Sequence, residues 1–383
     1  MTTRRVFFLS PGLAAASLSA VPRRREDLPT PALIVELDKL EANLARMAAH
    51  LKQSRLAFRP HAKTHKTPEI AKLCVKAGAV GACAAKLSEA VALSEGGVGG
   101  LLITTAVIGR DKLAAGIALA KQRPETIFCV DHPDNASDWD AAARAAGIRV
   151  NLALDLWVGR RTGVPPGEPA LALARHVSRL KHARLQGLQA YSGPSSHTPG
   201  FAKRAGASRQ AMGEAVETRA LIERDGIACP WLSGGSTGTW NIDSEIRGIT
   251  ELQPGSFLFM DIDYRRIGSR AGGEFTDFAQ SLFVICTVIS RPKPELAVTD
   301  GGFKAFATDR GYGPELRGRP EVKFSFGGDE HGVLTASGAK VGDRLEFVVP
   351  HCDPTVNLYD TIYAVRGDVV EAAWPVSARG KSQ

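Results

Sequence analysis

Between residues 56 and 253 the chain alternates short apolar runs with longer amphipathic stretches rich in Ala, Leu, Lys and Glu. The apolar runs have the length of strands, and stretches such as 68–77 and 87–95 repeat apolar positions at helical spacing. Eight strands that alternate with helices are typical of a (β/α)8 barrel. We predict the barrel strands at residues 56–60, 81–85, 101–105, 126–131, 149–155, 184–191, 230–234 and 249–253.

The pattern changes after residue 276, where helical periodicity nearly disappears and alternating, β-branched runs separated by turn residues take its place. Such runs predict a mainly antiparallel β domain. Its strands are expected at residues 281–290, 296–299, 322–326, 343–349, 361–365 and 369–374. We therefore assign residues 27–275 to the barrel and 276–383 to the β domain, which the apolar run at 29–37 is able to join as an additional strand.

Composition narrows the class of protein. The 383 residues are 44% hydrophobic, enough for a packed core, and contain no run of 18 apolar residues, which excludes a polytopic membrane protein. The net charge is +8, but the basic residues are scattered, so nucleic-acid binding gains little support. The six cysteines show no CxxC spacing, which argues against a zinc ribbon or a small disulfide scaffold.

The first 26 residues have the layout of an export signal. Arg4 and Arg5 stand directly before an apolar run, and a stretch of small residues follows at 13–20. Paired arginines in this position resemble a twin-arginine signal, which carries folded proteins across the bacterial inner membrane. We therefore predict that residues 1–26 direct the protein to the periplasm; an ordinary cytoplasmic N-terminus is the alternative.

The ends of the predicted barrel strands carry the candidate chemistry, because the active site of a barrel lies at the carboxyl ends of its strands. The first strand leads into a basic cluster at residues 59–66, which contains Lys63. A partly desolvated lysine among other cations is expected to have a lowered pKa and to act as an amine nucleophile toward an aldehyde.

Glycine-rich turns at 234–238 and 255–256 follow strands seven and eight, the usual place for a phosphate in such barrels. A nucleophilic lysine that faces a phosphate site suggests pyridoxal 5′-phosphate held as a Schiff base. The same pair of features also suits a lysine-dependent aldolase that acts on a sugar phosphate, and the residues alone leave both interpretations open.

The β domain contains His351 and Asp353 on either side of Cys352. In an extended segment, residues i and i+2 point to the same side, so this pair is expected to bind one divalent cation while Cys352 points away. Imidazole and carboxylate ligands suit Mn²⁺, Zn²⁺, Fe²⁺ or Mg²⁺. A hydrogen-bonded turn without a metal is the alternative interpretation.

As a set, these motifs resemble the D-threonine aldolase and D-serine dehydratase family of alanine racemase-like pyridoxal-phosphate enzymes. The likeness runs from about residue 29 to residue 381 and rests on segments 59–66, 161–164, 189–191, 234–238, 251–256 and 350–355. Members of this family have a (β/α)8 barrel followed by a β domain, which agrees with the predicted strands.

The resemblance assigns roles to particular residues. It implies that Lys63 holds pyridoxal 5′-phosphate, that Arg161 hydrogen-bonds its phenolic oxygen and that Tyr191 lies against its ring. His197 matches a histidine found near the substrate in aldolase-type members. The residues implied around the phosphate are Ser236, Thr237, Gly238, Gly255 and Ser256, and the implied metal ligands are His351 and Asp353. Manganese is the expected metal, with magnesium, zinc or cobalt as alternatives.

The resemblance implies a carbon–carbon lyase. It favours an aldolase over a dehydratase, because the dehydratase branch tends to have a cysteine where this chain has Asp353. The expected reaction converts a small D-3-hydroxy amino acid such as D-threonine to glycine and an aldehyde, in a homodimer. The alternatives are a D-serine or D-3-hydroxyaspartate dehydratase, a 3-hydroxy-D-aspartate aldolase and, more distantly, a non-catalytic carrier of pyridoxal phosphate.

Overall fold

The computed structural model describes residues 24–383, so residues 1–23, which make up most of the predicted export signal, lie outside the described residues. A first strand, β1 (Ala32–Glu36), leads directly into helix α1 (Leu37–Ser54). The buried side of α1 repeats Leu40, Leu44, Met47 and Leu51, at the three- and four-residue spacing of one helical face. This face packs the helix onto the barrel core.

Eight parallel strands form the barrel that the sequence predicts. They are β2 (Ala57–Phe58), β3 (Cys83–Ala84), β4 (Leu102–Ile103), β5 (Ile127–Val130), β6 (Val150–Asp155), β7 (Ala183–Ala190), β8 (Trp231–Gly234) and β9 (Glu251–Leu252). Their order is β2-β9-β8-β7-β6-β5-β4-β3, and a parallel bridge between His61 and Cys83 joins the two ends of this order. The sheet is therefore curled into a closed cylinder.

Helices follow the strands in alternation, as the periodicity predicts. They are α2 (Pro68–Lys76), α3 (Leu87–Glu95), α4 (Arg110–Gln122), α5 (Pro133–Ala146), α6 (Glu168–Ser178), α7 (Gly193–Ser196), α8 (Phe201–Arg224), α9 (Trp240–Asp243) and α10 (Ile262–Arg265). Two short 3-10 helices, Thr237–Thr239 and Ser256–Leu258, begin in the turns that follow β8 and β9. Both turns are thus located at the carboxyl end of the barrel.

A buried ion pair ties β2 to β9 inside the cylinder. Arg59 Nε lies 3.0 Å from Glu251 Oε1, Nη2 lies 3.0 Å from Oε2, and Ser233 Oγ donates to the same carboxylate at 2.7 Å. The Glu251 side chain is only 1% exposed. Burial lowers the pKa of Arg59, but the neighbouring Glu251 outweighs this effect and raises the pKa above its usual value, so the guanidinium stays charged. This bidentate contact fixes the relative position of the neighbouring strand ends.

The β domain contains β10 (Leu282–Lys293), β11 (Leu296–Thr299), β12 (Glu315–Leu316), β13 (Lys323–Phe326), β14 (Gly332–Thr335), β15 (Arg344–Val348), β16 (Thr361–Arg366) and β17 (Val369–Pro375). Its strands pair antiparallel, except that β1 pairs parallel with β16. Strand β1 lies between β10 and β16, so the N-terminal strand belongs to the sheet of this domain. The predicted barrel with a mainly antiparallel β domain is confirmed.

The residues after Pro350 differ from the prediction of an extended segment. Cys352–Val356 forms a short helix, α11, which His351 precedes with an extended backbone. The backbone N–H of Cys352 donates to the buried Asp261 carboxylate at 2.9 Å, which draws the start of α11 onto the end of the barrel. The expectation that His351 and Asp353 share one side of a strand was therefore wrong, because Pro354 is tolerated in the first turn of a helix.

Within residues 24–383, no helix combines the length and the hydrophobicity needed to cross a lipid bilayer.

Candidate active site

A pocket at the carboxyl ends of the barrel strands collects most of the predicted site residues. Its lining consists of His61, Lys63, Thr64, Tyr191, His197, Ser236, Thr237, Gln253, Gly255, Ser256, Tyr264, His351 and Asp353. The barrel and the β domain of the same chain both contribute to this lining. Among the predicted residues, Arg161 and Gly238 are the two that are not part of it.

Arg161 lies outside the pocket lining but close to the Tyr191 ring. Its guanidinium carbon is 5.7 Å from the centroid of that ring, the same distance as Lys63 Nζ. Gly238 lies in the wall behind the pocket, where its carbonyl accepts a hydrogen bond from Arg204 Nε at 2.8 Å. A Cβ at position 238 would collide with the Ser196 carbonyl oxygen, so packing requires a glycine there.

Lys63 stands in the turn after β2, held by backbone hydrogen bonds from Ala62 to Cys83 and from Lys66 to Ala62. Its ammonium lies 3.5 Å from Asp353 Oδ2. Burial lowers the pKa of Lys63, but Tyr191 and Asp353 outweigh this effect and raise it above the usual value. The prediction of a lowered pKa was therefore wrong, because the neighbours that decide it come from β7 and the β domain rather than from the basic cluster.

Asp353 is ionised in this environment. Burial alone would raise the pKa of its carboxyl, but Lys63 and His351 lower it to about 2. The carboxylate thus presents a full negative charge to the pocket.

His351, the other predicted metal ligand, has a carboxylate behind it. His351 Nδ1 lies 2.8 Å from Asp309 Oδ2, and Arg310 Nη2 lies 3.4 Å from His351 Nε2. Metal-binding histidines commonly contact a carboxylate through their second nitrogen, so Asp309 fits that arrangement. Over residues 24–383, however, no three His, Cys, Asp or Glu side chains converge to hold a metal. This chain would supply two protein ligands and leave the other positions to substrate or water.

Three polar atoms of the pocket lining lack a hydrogen-bond partner in the described part of the chain, and one of them is His197 Nδ1, which faces Asp263. Thr64 Oγ1 and Gln253 Oε1 are buried and have no hydrogen-bond partner within residues 24–383. A buried polar group without a partner is costly, and in a pocket it indicates a bound polar ligand. Neither residue was among the predicted site residues, although both lie within segments 59–66 and 251–256.

The turns after β8 and β9 form a polar wall that fits a phosphate. Thr237 Oγ1 accepts a hydrogen bond from the Phe257 backbone at 2.9 Å, so the two turns hold each other in place. A Cβ at Gly255 would come within 2.8 Å of the His61 carbonyl oxygen, so only glycine permits this approach. Ser236 and Ser256 add hydroxyl groups to backbone N–H groups at the starts of two 3-10 helices.

His197 lines the pocket immediately after α7. Its Nδ1 lies 2.6 Å from Asp263 Oδ2, and its ring packs on Tyr264 with centroids 4.7 Å apart. Burial would raise the pKa of Asp263, but His197 and Arg310 lower it, so this carboxylate is ionised. Asp263 and Tyr264 gave no sequence signal, because they lie in a four-residue helix after the last barrel strand.

His61 is also part of the lining, and burial together with Lys63 lowers its pKa well below the usual value. It is therefore neutral, and its Nε2 lies 3.2 Å from Thr104 Oγ1.

Two protein families match this chain. The alanine racemase N-terminal domain matches residues 35–263, and the putative serine dehydratase domain matches residues 281–365. The chain is 36% identical to a 3-hydroxy-D-aspartate aldolase from Paracoccus denitrificans (strain Pd 1222) over 371 residues, which cover 95% of this chain and 96% of the aldolase.

Solved structures give the same result. A D-threonine aldolase from Filomicrobium marinum superposes with a TM-score of 0.90 and 37% identity, covering 94% of this chain and 98% of that one. A D-threo-3-hydroxyaspartate dehydratase from Delftia sp. HT23 superposes with a TM-score of 0.82 and 26% identity, covering 92% and 99%. A variant of D-threo-3-hydroxyaspartate dehydratase in a metal-free form gives the same TM-score and identity, covering 91% of this chain and 98% of that one.

Proposed function

The chain belongs to the alanine racemase-like family that includes D-threonine aldolases and 3-hydroxy-D-aspartate aldolases, and we propose that it is itself an aldolase dependent on pyridoxal phosphate and a divalent metal. Its proposed substrates are D-3-hydroxy amino acids, which it cleaves to glycine and an aldehyde. The observation that carries the proposal is the meeting of Lys63 and Asp353 in one pocket of one chain, 3.5 Å apart.

Members of this family use pyridoxal phosphate, and the pocket fits it. Lys63 is the one lysine in the lining and would hold the aldehyde, Tyr191 would lie against the ring, and Ser236, Thr237, Gly255 and Ser256 would surround the phosphate. When bound, the cofactor supplies an electron-withdrawing ring that stabilises negative charge on Cα. The unpartnered Thr64 hydroxyl is buried in the same pocket and has a hydrogen bond to offer it.

His351 and Asp353 are the residues that would hold the metal. A divalent cation bound there supplies a Lewis acid that makes the substrate hydroxyl more acidic. Asp353 pairs with the Lys63 ammonium in this structure, and an amine bound to the cofactor would no longer be an ammonium free to pair with Asp353. The carboxylate would then be left without a cation, which favours binding of a metal in the same place.

The remaining tasks fall to side chains that move protons. His197 lines the same pocket as Lys63, beside Asp263, and is proposed to accept the proton of the β-hydroxyl while the Cα–Cβ bond breaks. The Lys63 side chain, when it is not bound to the cofactor and carries a proton as an ammonium, is proposed to donate that proton to Cα of glycine. Neutral His61 stays next to Lys63 without adding charge to this end of the pocket.

Product analysis with D-threonine tests the proposal. The aldolase is expected to yield glycine and acetaldehyde in equal amounts, and treatment with a chelator should stop the reaction until Mn²⁺ is added. Formation of 2-oxobutanoate and ammonia would instead establish a dehydratase. The likeness to the Delftia dehydratase favours that second candidate, whereas an aspartate at position 353 favours the first.

The same product assay, run with several D-3-hydroxy amino acids, measures the substrate range. The 3-hydroxy-D-aspartate aldolase from Paracoccus makes that compound a natural second substrate to offer, beside D-threonine and D-serine. A homodimer stays a prediction from the family resemblance.

A further inference from the structure

Asp263 lies beside the proposed catalytic base His197 and has no role in the proposed reaction as described above. It lies in the short helix α10, and three side chains from two other parts of the chain contact its carboxylate. Asp263 Oδ2 lies 2.6 Å from His197 Nδ1 and 3.2 Å from Arg310 Nη2, and the Tyr312 hydroxyl donates to Oδ1 at 3.4 Å. The carboxylate is thus anchored independently of His197.

The His197 ring is held on a second side by Tyr264. The two rings are 4.7 Å apart and inclined by 39°, and the Tyr264 hydroxyl is within 3.0 Å of Ser196 Oγ, the residue before His197. The imidazole is therefore confined between a carboxylate and an aromatic ring. Because Nδ1 faces Asp263, Nε2 is the nitrogen left to meet a ligand in the pocket.

We propose that Asp263 is a positioning residue for His197: its carboxylate accepts a hydrogen bond from Nδ1–H and so keeps Nε2 unprotonated as the proton acceptor for the substrate β-hydroxyl. This inference rests on the proposed function, because that hydroxyl belongs to the proposed substrate. In a neutral imidazole one nitrogen donates and the other accepts, and the partner of the first decides which is which. A carboxylate behind a catalytic histidine fixes the useful tautomer in this way.

The contact has the distance of a hydrogen bond but not its alignment, since neither Nδ1 nor Oδ2 has a well-directed partner within residues 24–383. Catalytic hydrogen bonds are often misaligned before substrate binds and straighten in the complex. Arg310 contacts both Asp263 and Asp309. It therefore restrains the two carboxylates that contact His197 and His351.

Replacement by asparagine tests the idea with almost no change of shape. The Asp263→Asn side chain presents an amide N–H₂ toward Nδ1 when its oxygen takes the Oδ1 position and accepts from the Tyr312 hydroxyl, and this would place the imidazole proton on Nε2. We expect kcat to fall roughly 10²- to 10³-fold, in the range that general-base catalysis contributes, with little change in KM. The surface variant Asp225→Asn, which also breaks an aspartate–arginine pair, is the control and should keep wild-type kinetics.

A double-mutant cycle separates positioning from a purely structural role. If Asp263 acts through His197, the Asp263→Asn change should cost almost nothing further in a His197→Gln background. An equal loss in both backgrounds would overturn the proposal. Absorbance of the lysine-bound cofactor and the thermal midpoint are measured for each variant, so that a folding defect is recognised as such.

Nitrogen NMR of the holoenzyme, labelled with ¹⁵N-histidine, gives a readout that does not depend on turnover. The His197 signals, assigned with His197→Gln, should show the Nδ1–H tautomer in the wild type and the Nε2–H tautomer in Asp263→Asn. An unchanged tautomer would refute the role of Asp263. If the wild-type protein cleaves no D-3-hydroxy amino acid, the proposed function fails, yet the tautomer measurement still decides whether Asp263 orients His197.

Discussion

Single side chains set the electrostatics of the barrel mouth, and Asp155 at the end of β6 is a buried carboxyl whose pKa is raised. Burial raises the pKa of its carboxyl to about 7, although Thr162 donates to it at 2.7 Å and Arg161 opposes the rise. The folded state therefore binds a proton that the unfolded chain loses near pH 4. The stability that this proton contributes is complete below that pH and is lost as pH rises through about 7.

Asp155→Asn should remove this dependence on pH. Relative to the wild type, the variant should gain stability between pH 4 and pH 8, on the order of 3 to 4 kcal/mol, because one pKa unit corresponds to about 1.4 kcal/mol. Urea unfolding over that range measures the difference. Asp138→Asn, on the exposed face of α5, controls for the amide itself. Parallel stability curves for Asp155→Asn and wild type would show that Asp155 is ionised throughout.

At the same scale, His351 and Asp353 are predicted to serve the reaction rather than the fold. His351→Ala should retain the visible absorbance of the lysine-bound cofactor but lose most activity, roughly 10²-fold or more, because a protein ligand of the metal is lost. Steady-state assays with and without added Mn²⁺ measure the effect. Simultaneous loss of colour and activity would assign His351 a structural role instead. His182→Ala, outside the pocket, is the control.

At the scale of elements, the first and last barrel strands, β2 and β9, pair in parallel, and the buried Arg59–Glu251 contact links them. Removing one partner leaves a buried charge without compensation, so Glu251→Ala should lower the free energy of unfolding by about 3–5 kcal/mol. Glu245→Ala removes a half-exposed carboxylate paired with Arg270 and should cost less than about 1 kcal/mol. Equal losses in urea unfolding for the two variants would contradict this account.

The elements show how far the sequence predicts the structure. The apolar runs located all eight barrel strands because parallel strands are buried on both faces and so contrast with the helices around them. Helix α11 was missed, because its five residues are too few to show a period and an interaction from Asp261 in the barrel stabilises its start.

The candidate site was likewise predicted only in part. Residues in strand-end motifs, such as Lys63 and Tyr191, were recognisable from the sequence and lie in the pocket. The residues that tune them, Asp263, Asp309 and Arg310, come from segments without regular pattern, and only the folded chain brings them to the pocket. The direction of the Lys63 pKa was missed for the same reason, since Asp353 reaches it from the β domain.

At the scale of the whole molecule, the barrel and the β domain of one chain together form the pocket. The backbone of Ile262 donates to Val349 at 3.1 Å and that of Asp263 to Pro350 at 3.3 Å, which ties the barrel to the segment carrying His351 and Asp353. The family predicted from sequence motifs is confirmed over nearly the full chain. The two domains are therefore expected to lose function together when this junction is disturbed.

Export is a prediction about the segment outside the described residues. Fused to a reporter, residues 1–26 should direct it to the periplasm, and replacement of Arg4 and Arg5 by lysine should retain it in the cytoplasm, because the paired arginines are the signal. Cell fractionation measures both results. A reporter that stays cytoplasmic with the unaltered segment would refute the export prediction.

The central claim is that Lys63 forms the covalent link to pyridoxal phosphate. Borohydride reduction of the purified holoenzyme, followed by peptide mapping, tests it most directly, with Lys63→Ala as the matched sample and Lys76→Ala, on an exposed face of α2, as the control. The account predicts a pyridoxyl group on Lys63 in the wild type and in Lys76→Ala, and none in Lys63→Ala. A reduced adduct on another lysine, or no adduct at all, would contradict it.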